Sequence, residues 1–466
     1  LHKNIEKLVL PINKSIQVFS TWEKIDVVLP DQTDQNDIDT VVERLTRTPG
    51  IESLLLITSH QFSSLQQAIN LSVNAYSYLI SDKSFRVRVK RRGKHEFTSL
   101  DAERQIGSEL LKSADNARVD LTRPDITVDI EIDGNTLSLV EQKFTGLGGY
   151  PIGQQGGVLS LISGGYDSSV ASYFSIRRGL KTHFCFFNLG GEEHEVAVKH
   201  AANYLWQNYS STHRVKFVTV PFEDVVNAIL KAVEPSLMGV VLKRMMLRAA
   251  SRIAEDLHLT TLVTGECVGQ VSSQTLANLK LIDSSTDCTL LRPVSLMDKN
   301  AIVNQARKIG VADMAATVPE YCSVISKKPS AKVDKTCLLQ NEADFDFSIL
   351  EQAIANHQVQ SIEAVISGKV QQASEVQQLS ELSTNDVIVD IRSPEQRDSS
   401  EKSLKWANII EVPFYCLHDQ LWLNDKSKRY LLYCDNGIMS KVQAHYLQAQ
   451  GHSNVHVYRL SKLTLE

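Results

Sequence analysis

Apolar and polar residues alternate with a period of two along residues 84–90. Such alternation is typical of a β-strand, which directs successive side chains to opposite faces of a sheet. One face of the predicted strand is apolar and the other is basic, and seven Lys or Arg with no acid lie between Asp82 and Glu96. The apolar residues are Phe85, Val87 and Val89, and the cations are Arg86, Arg88 and Lys90, followed by Arg91, Arg92 and Lys94 around Gly93.

The remainder of the first third of the chain has the pattern of a small module of helices and strands. Strand-like runs at 25–29 and 51–57 flank a run of helical periodicity. A second helix is expected after the basic strand, with Thr98 or Ser99 as its N-cap. Residues 126–132 alternate as another strand. The pattern therefore predicts an α/β module built around a basic strand.

The middle of the chain alternates apolar strand candidates with helical segments up to about residue 310. This alternation predicts a doubly wound parallel sheet. A connector at 146–157, with six Gly in twelve residues, precedes it and marks a boundary or a mobile loop. The strand candidates are 158–162, 182–187, 215–220 and 261–264.

The last part of the chain divides into a polar segment and a final unit. Residues 336–376 are rich in Gln, Glu, Ala and Ser and predict a linker with some helix. Strand candidates then follow at 387–391, 430–433 and 455–458, with a helix from Ser440. We expect another small α/β unit here.

Composition narrows the protein class. The chain has 466 residues with 42% hydrophobic and 22% charged residues, which predicts several globular domains. The formal net charge is -5, so bulk charge argues against a polyanion binder while leaving room for a local basic patch. The seven Cys form no C-x-x-C pair, which disfavours a zinc ribbon or a disulfide scaffold and fits a reducing cytoplasm.

The ends and the hydropathy of the chain add two expectations. No segment approaches the roughly 20 continuous apolar residues of a membrane span, and no signal peptide is indicated. The sequence begins at Leu1 without Met, so we expect a processed or partial chain.

The segment Ser163-Gly164-Gly165-Tyr166-Asp167-Ser168-Ser169 follows an apolar strand and opens a predicted helix. Small residues let backbone N–H groups approach an anion, and the helix amino terminus adds partial positive charge. Because no G-K-[ST] is present, the loop is not of the Walker type. It resembles the S-G-G-x-D-S signature of PP-loop ATP pyrophosphatases, which cleave ATP between the α and β phosphates and adenylate a carbonyl oxygen. The alternative is a glycine turn that caps a helix.

Other segments of the middle region are weaker candidates. Arg244, Arg248 and Arg252 share a helix face, which we interpret as a solvated basic face. The run from residue 264 to 275 follows a buried strand, and the carboxyl ends of such strands bind ligands, so Gly265 and Gln274 are expected near the nucleotide. An ordinary polar loop is an equal alternative.

Lys299 has an unusual place for a cation. Asp298 is predicted as the N-cap of a helix over 299–309, closed by Gly310. Lys299 in the first turn opposes the helix dipole, which indicates an anionic partner.

Cys434 begins a loop between a predicted strand and a predicted helix. Converging N–H groups and a helix amino terminus would favour its thiolate and make it a nucleophile. With residues 389–392, the loop resembles a rhodanese domain, whose loop Cys carries a persulfide. Rhodanese loops often contain Arg, but residues 435–440 contain none. The resemblance therefore implies a protein persulfide rather than thiosulfate as the sulfur donor. The alternative is a buried structural Cys. Cys322, in Pro319-Glu320-Tyr321-Cys322, has no such local signature.

The order of these modules resembles the ThiI family, tRNA 4-thiouridine synthetases (tRNA sulfurtransferases) with a carboxy-terminal rhodanese domain. The resemblance implies an α/β multidomain fold: a PP-loop domain with a doubly wound parallel sheet, an amino-terminal α+β ferredoxin-like/THUMP module and an α/β rhodanese domain. The expected boundaries are a ferredoxin-like remnant at 1–38, THUMP at 39–143, the PP-loop domain at 144–335, a linker at 336–376 and rhodanese at 377–466.

The resemblance also implies roles for individual residues. Asp167 would be needed for adenylation, Cys434 would carry the persulfide, and Cys322 would form a transient disulfide with Cys434. No resident metal is expected apart from Mg²⁺ accompanying ATP. ATP contacts would fall on Leu161, Ile162, Ser163, Gly164, Gly165, Ser168, Lys243, Gly265 and Gln274. RNA contacts would fall on Arg86, Arg88, Lys90, Arg91 and Arg92.

The activity implied is ATP-dependent adenylation of uridine 8 in tRNA, followed by sulfur transfer to give 4-thiouridine. The implied partners are tRNA, a cysteine desulfurase as persulfide donor and the sulfur-carrier protein of thiamine biosynthesis, with sulfur supply to the thiamine thiazole as a second role. A cytoplasmic location and no membrane partner are expected. Three alternatives stay open: a sulfur-relay carrier, an RNA-binding adaptor and another PP-loop adenylating synthetase.

Overall fold

The structure is a computed structural model that divides into two compact units. Val9–Gly149 form the amino-terminal unit, and Leu1–Leu8 with Tyr150–Glu466 form the larger unit. The structure describes residues 1–189, 191–316, 318, 329–365, 378–379, 382–383, 385–392, 397, 408–412, 417, 425–434, 440, 443–444, 447–448 and 451–459.

The amino-terminal unit contains a hairpin and a five-stranded sheet in the order β3-β7-β6-β4-β5. Strand β4 is the predicted basic strand, and its apolar residues are buried against helices α3 and α4. The strands are β1 Gln17–Ser20, β2 Ile25–Val28, β3 Ile51–Gln61, β4 Ser84–Arg92, β5 Arg118–Val119, β6 Ile126–Asp133 and β7 Thr136–Gly148; the helices are α2 Gln35–Thr46, α3 Leu65–Ile80 and α4 Ser99–Ser113, after α1 His2–Val9.

Local chemistry explains the elements that the pattern predicts. The N-cap of α4 is Thr98, whose side chain and that of Asp101 form a reciprocal capping box. Helix α3 and strand β7 are not among the predicted elements. A register shift beside Glu141 interrupts the alternation of β7 where it pairs with β3, so the period of two is lost there.

The larger unit contains a six-stranded sheet in the order β12-β11-β8-β9-β10-β13. All pairs are parallel except β10 with β13, so the predicted doubly wound sheet is confirmed. Strand β8 comes first in sequence but lies inside the sheet, between β11 and β9. The chain order therefore reverses beside β8, and ligands bind at the carboxyl ends of strands at such a point. The strands are β8 Gly157–Leu161, β9 Lys181–Asn188, β10 Lys216–Pro221, β11 Thr261–Val263, β12 Thr289–Leu291 and β13 Gln358–Ser361.

Helices surround this sheet and bury its apolar residues. None of the described helices is both long and apolar enough to span a bilayer. The helices are α5 Tyr166–Arg177, α6 Gly191–Tyr209, α7 Glu223–Ala232, α8 Met238–Asp256, α9 Leu276–Asp283, α10 Lys299–Lys308, α11 Ala312–Ala315, α12 Lys335–Ala343 and α13 Phe347–Ala355, and a 3₁₀ turn spans Ser272–Gln274.

The first part of the expected linker is folded. Helices α12 and α13 contribute Leu338 and Leu350 to the core of the larger unit, and β13 pairs antiparallel with β10. The basic face of α8 explains this difference. Arg244 is 3% exposed and forms an ion pair with Glu342 of α12, which Arg248 also contacts at 2.8 Å. The expected solvated face of α8 is thus packed at Arg244 and Arg248, because their counterion lies about a hundred residues later, whereas Arg252 is exposed.

The carboxy-terminal region contains a parallel sheet in the order β14-β18-β17-β15-β16. Its core includes Val389, Leu432 and Val457. The central strands agree with the predicted ones to within a residue. The strands are β14 Gln378–Leu379, β15 Asp386–Asp390, β16 Ile409–Glu411, β17 Arg429–Tyr433 and β18 Val455–Tyr458.

The first residues of the chain belong to the larger unit rather than to the unit that follows them. Asn4 Nδ2 donates to the Ile152 carbonyl at 3.3 Å, and Lys7 Nζ donates to the Thr212 carbonyl at 3.0 Å. Ile5 is 3% exposed. Residues 1–38 are therefore divided between two units, whereas we expected one remnant domain.

Candidate active sites

The S-G-G-x-D-S segment forms a tight loop between β8 and α5. Ser163 N donates to Ser168 Oγ at 3.1 Å, and the Ser163 and Ser168 hydroxyl oxygens lie 3.0 Å apart. Gly164 has a φ of +81°, a conformation that favours glycine. Helix α5 begins after Gly165 without a side-chain cap, so its first N–H groups are directed out of the helix end. That arrangement suits an anion such as a phosphate.

Gly265 lies directly against this loop. A Cβ on Gly265 would lie 2.5 Å from Ser168 N and 2.6 Å from the carbonyl carbon of Asp167. Both are backbone atoms that cannot move aside easily. The end of β11 thus meets the start of α5 only because residue 265 has no side chain, and the structure brings together two segments that the sequence analysis placed near one ligand.

Asp167 is engaged by two side chains from distant segments. Lys299 Nζ lies 3.0 and 3.1 Å from its two carboxylate oxygens, and Gln270 Nε2 donates to it at 3.0 Å. Lys299 Nζ also lies 5.6 Å from the centre of the Tyr166 ring. The anionic partner indicated for Lys299 is therefore present within the chain. A cation and a carboxylate meet at the mouth of the loop.

Lys243 is held by a buried charge network. Its Nζ lies 2.9 Å from Glu266 Oε1, and Arg292 Nε lies 2.8 Å from Glu266 Oε2. Burial alone would raise the pKa of Glu266, but Lys243 and Arg292 outweigh it and hold the pKa below its usual value. Arg292 also pairs with Asp283. Glu266 is therefore ionised at neutral pH and fixes the direction of the Lys243 side chain.

The remaining predicted nucleotide residues line the same region. Leu161 ends β8, and Ile162 is 3% exposed and donates its N–H to the Cys185 carbonyl at 2.9 Å. Gln274 Oε1 accepts from Cys267 N at 3.3 Å. Gln274 thus stabilises the loop that follows β11, and Cys267 is a buried thiol whose pKa is raised by burial.

Cys322 lies outside the described residues. The nearby Val318 is described, and a Cβ on Gly164 would lie 3.1 Å from Val318 Cγ2. The chain therefore passes beside the loop at Ser163–Ser168 four residues before Cys322.

Cys434 follows β17 directly and is half-buried. Its Sγ accepts a hydrogen bond from Ser440 N at 3.3 Å and lies 3.5 Å from Ser440 Oγ. Residues 435–439 lie outside the described part of the chain. Donors of this kind stabilise a thiolate or a persulfide anion more than a neutral thiol. Ser440 N is one N–H donor to this sulfur, and the expected convergence of several such groups stays a prediction.

A buried ion pair lies at the same end of this sheet. Arg392 Nη2 is 2.6 Å from Asp390 Oδ2, and both side chains are almost fully buried. The Arg392 guanidinium lies 5.0 Å from the centre of the Tyr433 ring, and Ile391 N donates to the Tyr433 carbonyl at 3.0 Å. An arginine therefore lies beside Tyr433, the residue before Cys434, although it comes from the segment after β15 rather than from the loop itself.

The cations of β4 fall into two classes. Arg86 and Arg91 are tied to the fold, since Arg86 Nε donates to Thr127 Oγ1 at 3.1 Å and Arg91 Nη1 lies 2.9 Å from His95 Nδ1. The other three are more exposed. Arg88, Lys90 and Arg92 have side-chain exposures of 51%, 84% and 55%.

Each of these exposed cations has an acidic neighbour from another element. Arg88 lies 3.8 Å from Glu103 of α4, Lys90 lies 3.8 Å from Glu131 of β6, and Arg92 pairs with Glu23. The face is therefore less positive than the sequence of β4 alone suggests. The strand pattern could not show this, because the acids come from segments separated from it in sequence.

Four residues of the site were not among the predicted site residues: Gln270, Lys299, Glu266 and Arg292. A signal existed for three of them, because Gln270 and Glu266 lie in the run after β11 and Lys299 opposes its helix dipole. Arg292 had none, since its role depends on the buried position of Glu266.

Three family models match successive parts of the chain. The description "THUMP domain" matches residues 68–140, "Thiamine biosynthesis protein (ThiI)" matches residues 153–347, and "Rhodanese-like domain" matches residues 372–461.

Curated relatives match almost the whole chain. A tRNA sulfurtransferase of Proteus mirabilis (strain HI4320) is 47% identical over 98% of this chain and 94% of its own length. A tRNA sulfurtransferase of Haemophilus ducreyi (strain 35000HP / ATCC 700724) is 46% identical over 99% of this chain and 95% of its own.

A solved structure extends the likeness to the fold. The crystal structure of a 4-thiouridine synthetase–RNA complex with bound ATP matches with a TM-score of 0.67 at 23% identity. The match covers 77% of this chain and 93% of that one. At this level of identity the likeness shows a common fold.

Proposed function

Because the chain belongs to the tRNA sulfurtransferase family, we propose that it converts uridine 8 of tRNA to 4-thiouridine in a reaction that consumes ATP. The observation that carries the proposal is the presence in one chain of an anion-binding loop at a topological switch point and a Cys434 sulfur that accepts an N–H hydrogen bond. The 4-thiouridine synthetase of similar fold was solved with RNA and ATP, which supports both ligands here.

The loop at Ser163–Ser168 would bind the phosphates of ATP through its backbone N–H groups and the amino terminus of α5. Lys243, fixed by Glu266, would add a cation, and Gly265 would leave room for the nucleotide beside the loop. Leu161, Ile162 and Gln274 would line the same place. Lys299 has only Asp167 as its carboxylate partner among the described residues, so a phosphate could compete for it.

Mg²⁺ bound with ATP would neutralise phosphate charge. The described residues contain no cluster of three or more metal-binding side chains. Such an ion would be held chiefly by phosphates and water with one or two carboxylates, and Asp167 is the carboxylate at the loop that would take part.

The chemistry of activation is a transfer of AMP. The O4 oxygen of the uracil attacks the α-phosphorus, the bond to the β-phosphate oxygen breaks, and pyrophosphate leaves. AMP is then the leaving group at C4. The protein's part is to hold the phosphates and the base in line while loop N–H groups and cations balance the developing negative charge.

Sulfur delivery would start from a persulfide on Cys434, loaded by a cysteine desulfurase. The terminal sulfur attacks C4 and expels AMP, leaving the tRNA joined to Cys434 through two sulfurs. The Cys322 thiolate then attacks the Cys434 sulfur, which releases 4-thiouridine and forms a Cys322–Cys434 disulfide. A cellular dithiol would reduce that disulfide. Val318, four residues before Cys322 in the sequence, lies beside Gly164.

The amino-terminal unit would supply tRNA binding. Arg88, Lys90 and Arg92 are the exposed cations of β4 and would contact phosphates, supported by the THUMP match over residues 68–140. The rhodanese-like region would also be able to supply sulfur for the thiamine thiazole through a sulfur-carrier protein, and a cytoplasmic location would suit all these partners.

The direct test is a thiolation assay with unmodified tRNA, a cysteine desulfurase, cysteine and ATP. We expect 4-thiouridine to form at position 8 and pyrophosphate to be released, both only when ATP is present. Omission of the desulfurase should stop sulfur insertion but not adenylation. Sulfur transfer to tRNA without ATP would instead favour a sulfur-relay carrier.

A further inference from the structure

His194 on α6 lies against the loop at Ser163–Ser168. Its side chain is buried, at 6% exposure, and its Nε2 lies 3.1 Å from the Ser163 carbonyl oxygen. A carbonyl oxygen only accepts hydrogen bonds, so Nε2 must carry the hydrogen. Burial lowers the pKa of His194 to about 4, which keeps the imidazole neutral at neutral pH. The edge of the ring also packs on Phe186, with centroids 4.8 Å apart.

The hydrogen bond to the Ser163 carbonyl has a consequence for the next N–H group. The Ser163–Gly164 peptide is trans, and a planar trans peptide directs its C=O and N–H to opposite sides. Holding the Ser163 carbonyl toward His194 therefore directs the Gly164 N–H away from α6. The Gly164 N–H donates to none of the described groups.

Helix α6 supports the same peptide one turn further along. A Cβ on Gly164 would lie 3.1 Å from Val198 Cγ2, so Val198 packs against the loop backbone next to His194. A peptide that turned over would bring the Ser163 carbonyl toward a bound phosphate, where two negative charges would repel. His194 and Val198 together oppose that movement.

We propose that His194 is a positioning residue for ATP, which fixes the Ser163–Gly164 peptide so that the Gly164 N–H faces the phosphates. The proposal rests on the ATP-dependent function proposed above. It assigns His194 no contact with the nucleotide and no proton transfer. Its effect should depend on the Nε2–H donor rather than on the shape of the ring.

The test compares two substitutions in the full chain by calorimetric titration with ATP. His194→Leu fills similar space without a donor, and we expect it to weaken ATP binding about tenfold or more, the range expected when one hydrogen bond to a charged group is lost. His194→Gln retains an N–H donor at the end of its side chain and should recover most of the affinity. KM for ATP in the thiolation assay should rise in parallel, while persulfide loading of Cys434 stays normal.

His183 provides a matched control. It is a buried histidine of β9 whose pKa burial also lowers to about 4, and its Nδ1 accepts from Lys216 N at 3.0 Å, on a different strand. We expect His183→Leu to lower thermal stability without weakening ATP binding.

Three results would overturn the proposal. One is ATP binding by His194→Leu within about twofold of the parent, and another is a Gln variant as weak as the Leu variant at equal thermal stability. The third is a parent chain that does not bind ATP, which would also overturn the ATP-dependent function. Normal binding by His194→Leu would leave that function intact.

Discussion

At the scale of single residues, Gly265 shows how closely the proposed adenylation site is packed. Its missing side chain allows the end of β11 to touch the backbone of Asp167 and Ser168. The sequence placed Gly265 near the loop by the rule that ligands bind at strand ends. It could not show that the contact is backbone against backbone.

Gly265→Ala should therefore impair the site strongly. The added methyl group would lie 2.5 Å from Ser168 N, so α5 or the loop after β11 must shift. We expect loss of measurable ATP binding in a calorimetric titration, with lower thermal stability. Gly107→Ala is the matched control, since its Cβ would meet only Val87 Cγ2 at 3.6 Å in a helix, where alanine is favoured by about 1 kcal/mol. An unchanged ATP affinity in Gly265→Ala would contradict the packing described.

Asp167→Ala should separate the two chemistries of the chain. It removes the carboxylate that Lys299 and Gln270 hold at the loop. We expect ATP-dependent pyrophosphate release to disappear, while persulfide loading of Cys434 by a desulfurase continues. Circular dichroism should show an intact fold. Loss of persulfide loading in a folded variant would mean that the roles are not separable.

Cys434→Ala should abolish both the persulfide and thiolation of tRNA. Among the described cysteines, only Cys434 has a sulfur that accepts a hydrogen bond from a backbone N–H. Such a donor stabilises a thiolate or a persulfide anion. The measurement is mass spectrometry of peptides after incubation with a desulfurase. Cys288→Ala, which changes another partly buried cysteine, is the control and should retain both. A persulfide on a different cysteine in Cys434→Ala would overturn the assignment.

The site could be predicted only in part, because its residues act through partners far away in sequence. Asp167 was identified from the local S-G-G-x-D-S pattern, but its partner Lys299 lies 132 positions later. Glu266 became significant only once the fold placed Lys243 and Arg292 on either side of it. Local patterns show which residues are available, and tertiary contacts decide which of them meet.

At the scale of elements, strand β4 has the predicted alternation, but the face that carries its cations is less positive than the strand sequence predicts. Three of its cations are exposed, and acids from α4, β6 and the β1–β2 hairpin accompany them. Exposed ion pairs are weak and can exchange partners. A phosphate backbone could therefore replace Glu103 and Glu131 as the partner of Arg88 and Lys90.

Replacing Arg88 and Lys90 by Gln should weaken tRNA binding and flatten its dependence on salt. Each phosphate contact contributes a slope of roughly 0.7 to 0.9, so we expect the slope to fall by about 1.4 to 1.8 in filter-binding titrations. Arg86→Gln is the matched control, because Arg86 is bonded to Thr127 and the Leu121 carbonyl. Arg86→Gln should lower thermal stability and leave the salt dependence of tRNA binding nearly unchanged. An unchanged slope in the double variant would move the RNA surface elsewhere.

Helix α12 illustrates an element that composition concealed. Its residues are polar enough to suggest a linker, yet Glu342 is 4% exposed and pairs with Arg244 and Arg248. Burial alone would raise the pKa of Glu342, but the hydrogen bonds and charges of these two arginines lower it overall. The helical periodicity of α8 could be recognised in the sequence. The helix that packs against its arginines could not.

Glu342→Gln should lower the free energy of unfolding by about 3 kcal/mol or more, because it leaves Arg244 buried without its counterion. Urea unfolding at pH 7 would measure this. Glu351→Gln is the control, since Glu351 and Arg252 are exposed and 3.7 Å apart, and it should cost under about 1 kcal/mol. Because the pKa of Glu342 is lowered in the folded state, its contribution should be present above the ordinary carboxyl pKa and be lost as pH falls through the lowered value. Equal losses in both variants would contradict a buried pair.

At the scale of the whole molecule, the order of three α/β regions was predictable, but the division of the chain into compact units was not. Periodicity identified the parallel sheet and the carboxy-terminal strands because each signal is local. The assignment of residues 1–8 to the larger unit depends on contacts with Ile152 and Thr212 that no window of sequence contains.

Sulfur transfer should link the PP-loop region to the rhodanese-like region by a covalent bond. A disulfide requires Cα atoms within roughly 7 Å, so Cys434 must reach Cys322 during turnover. We expect a Cys322–Cys434 peptide pair in non-reducing maps after turnover without reductant. Cys322→Ala should bind ATP and tRNA and load persulfide, yet fail to turn over. Cys337→Ala is the control and should turn over normally. Pairing of Cys434 with Cys337 or Cys416 would transfer the resolving role to that residue.

The contacts of α1 also impose an order of events on biosynthesis. This helix leaves the ribosome before the segments that it contacts, because the Thr212 carbonyl that receives Lys7 is made 205 residues later. At about 5 to 20 residues per second, that interval is roughly 10 to 40 s. An isolated helix of eight residues has little stability in water, so we expect α1 to stay largely unfolded during that time. Residues 9–149 can fold while it waits, and the larger unit closes only when its first and later segments finally meet.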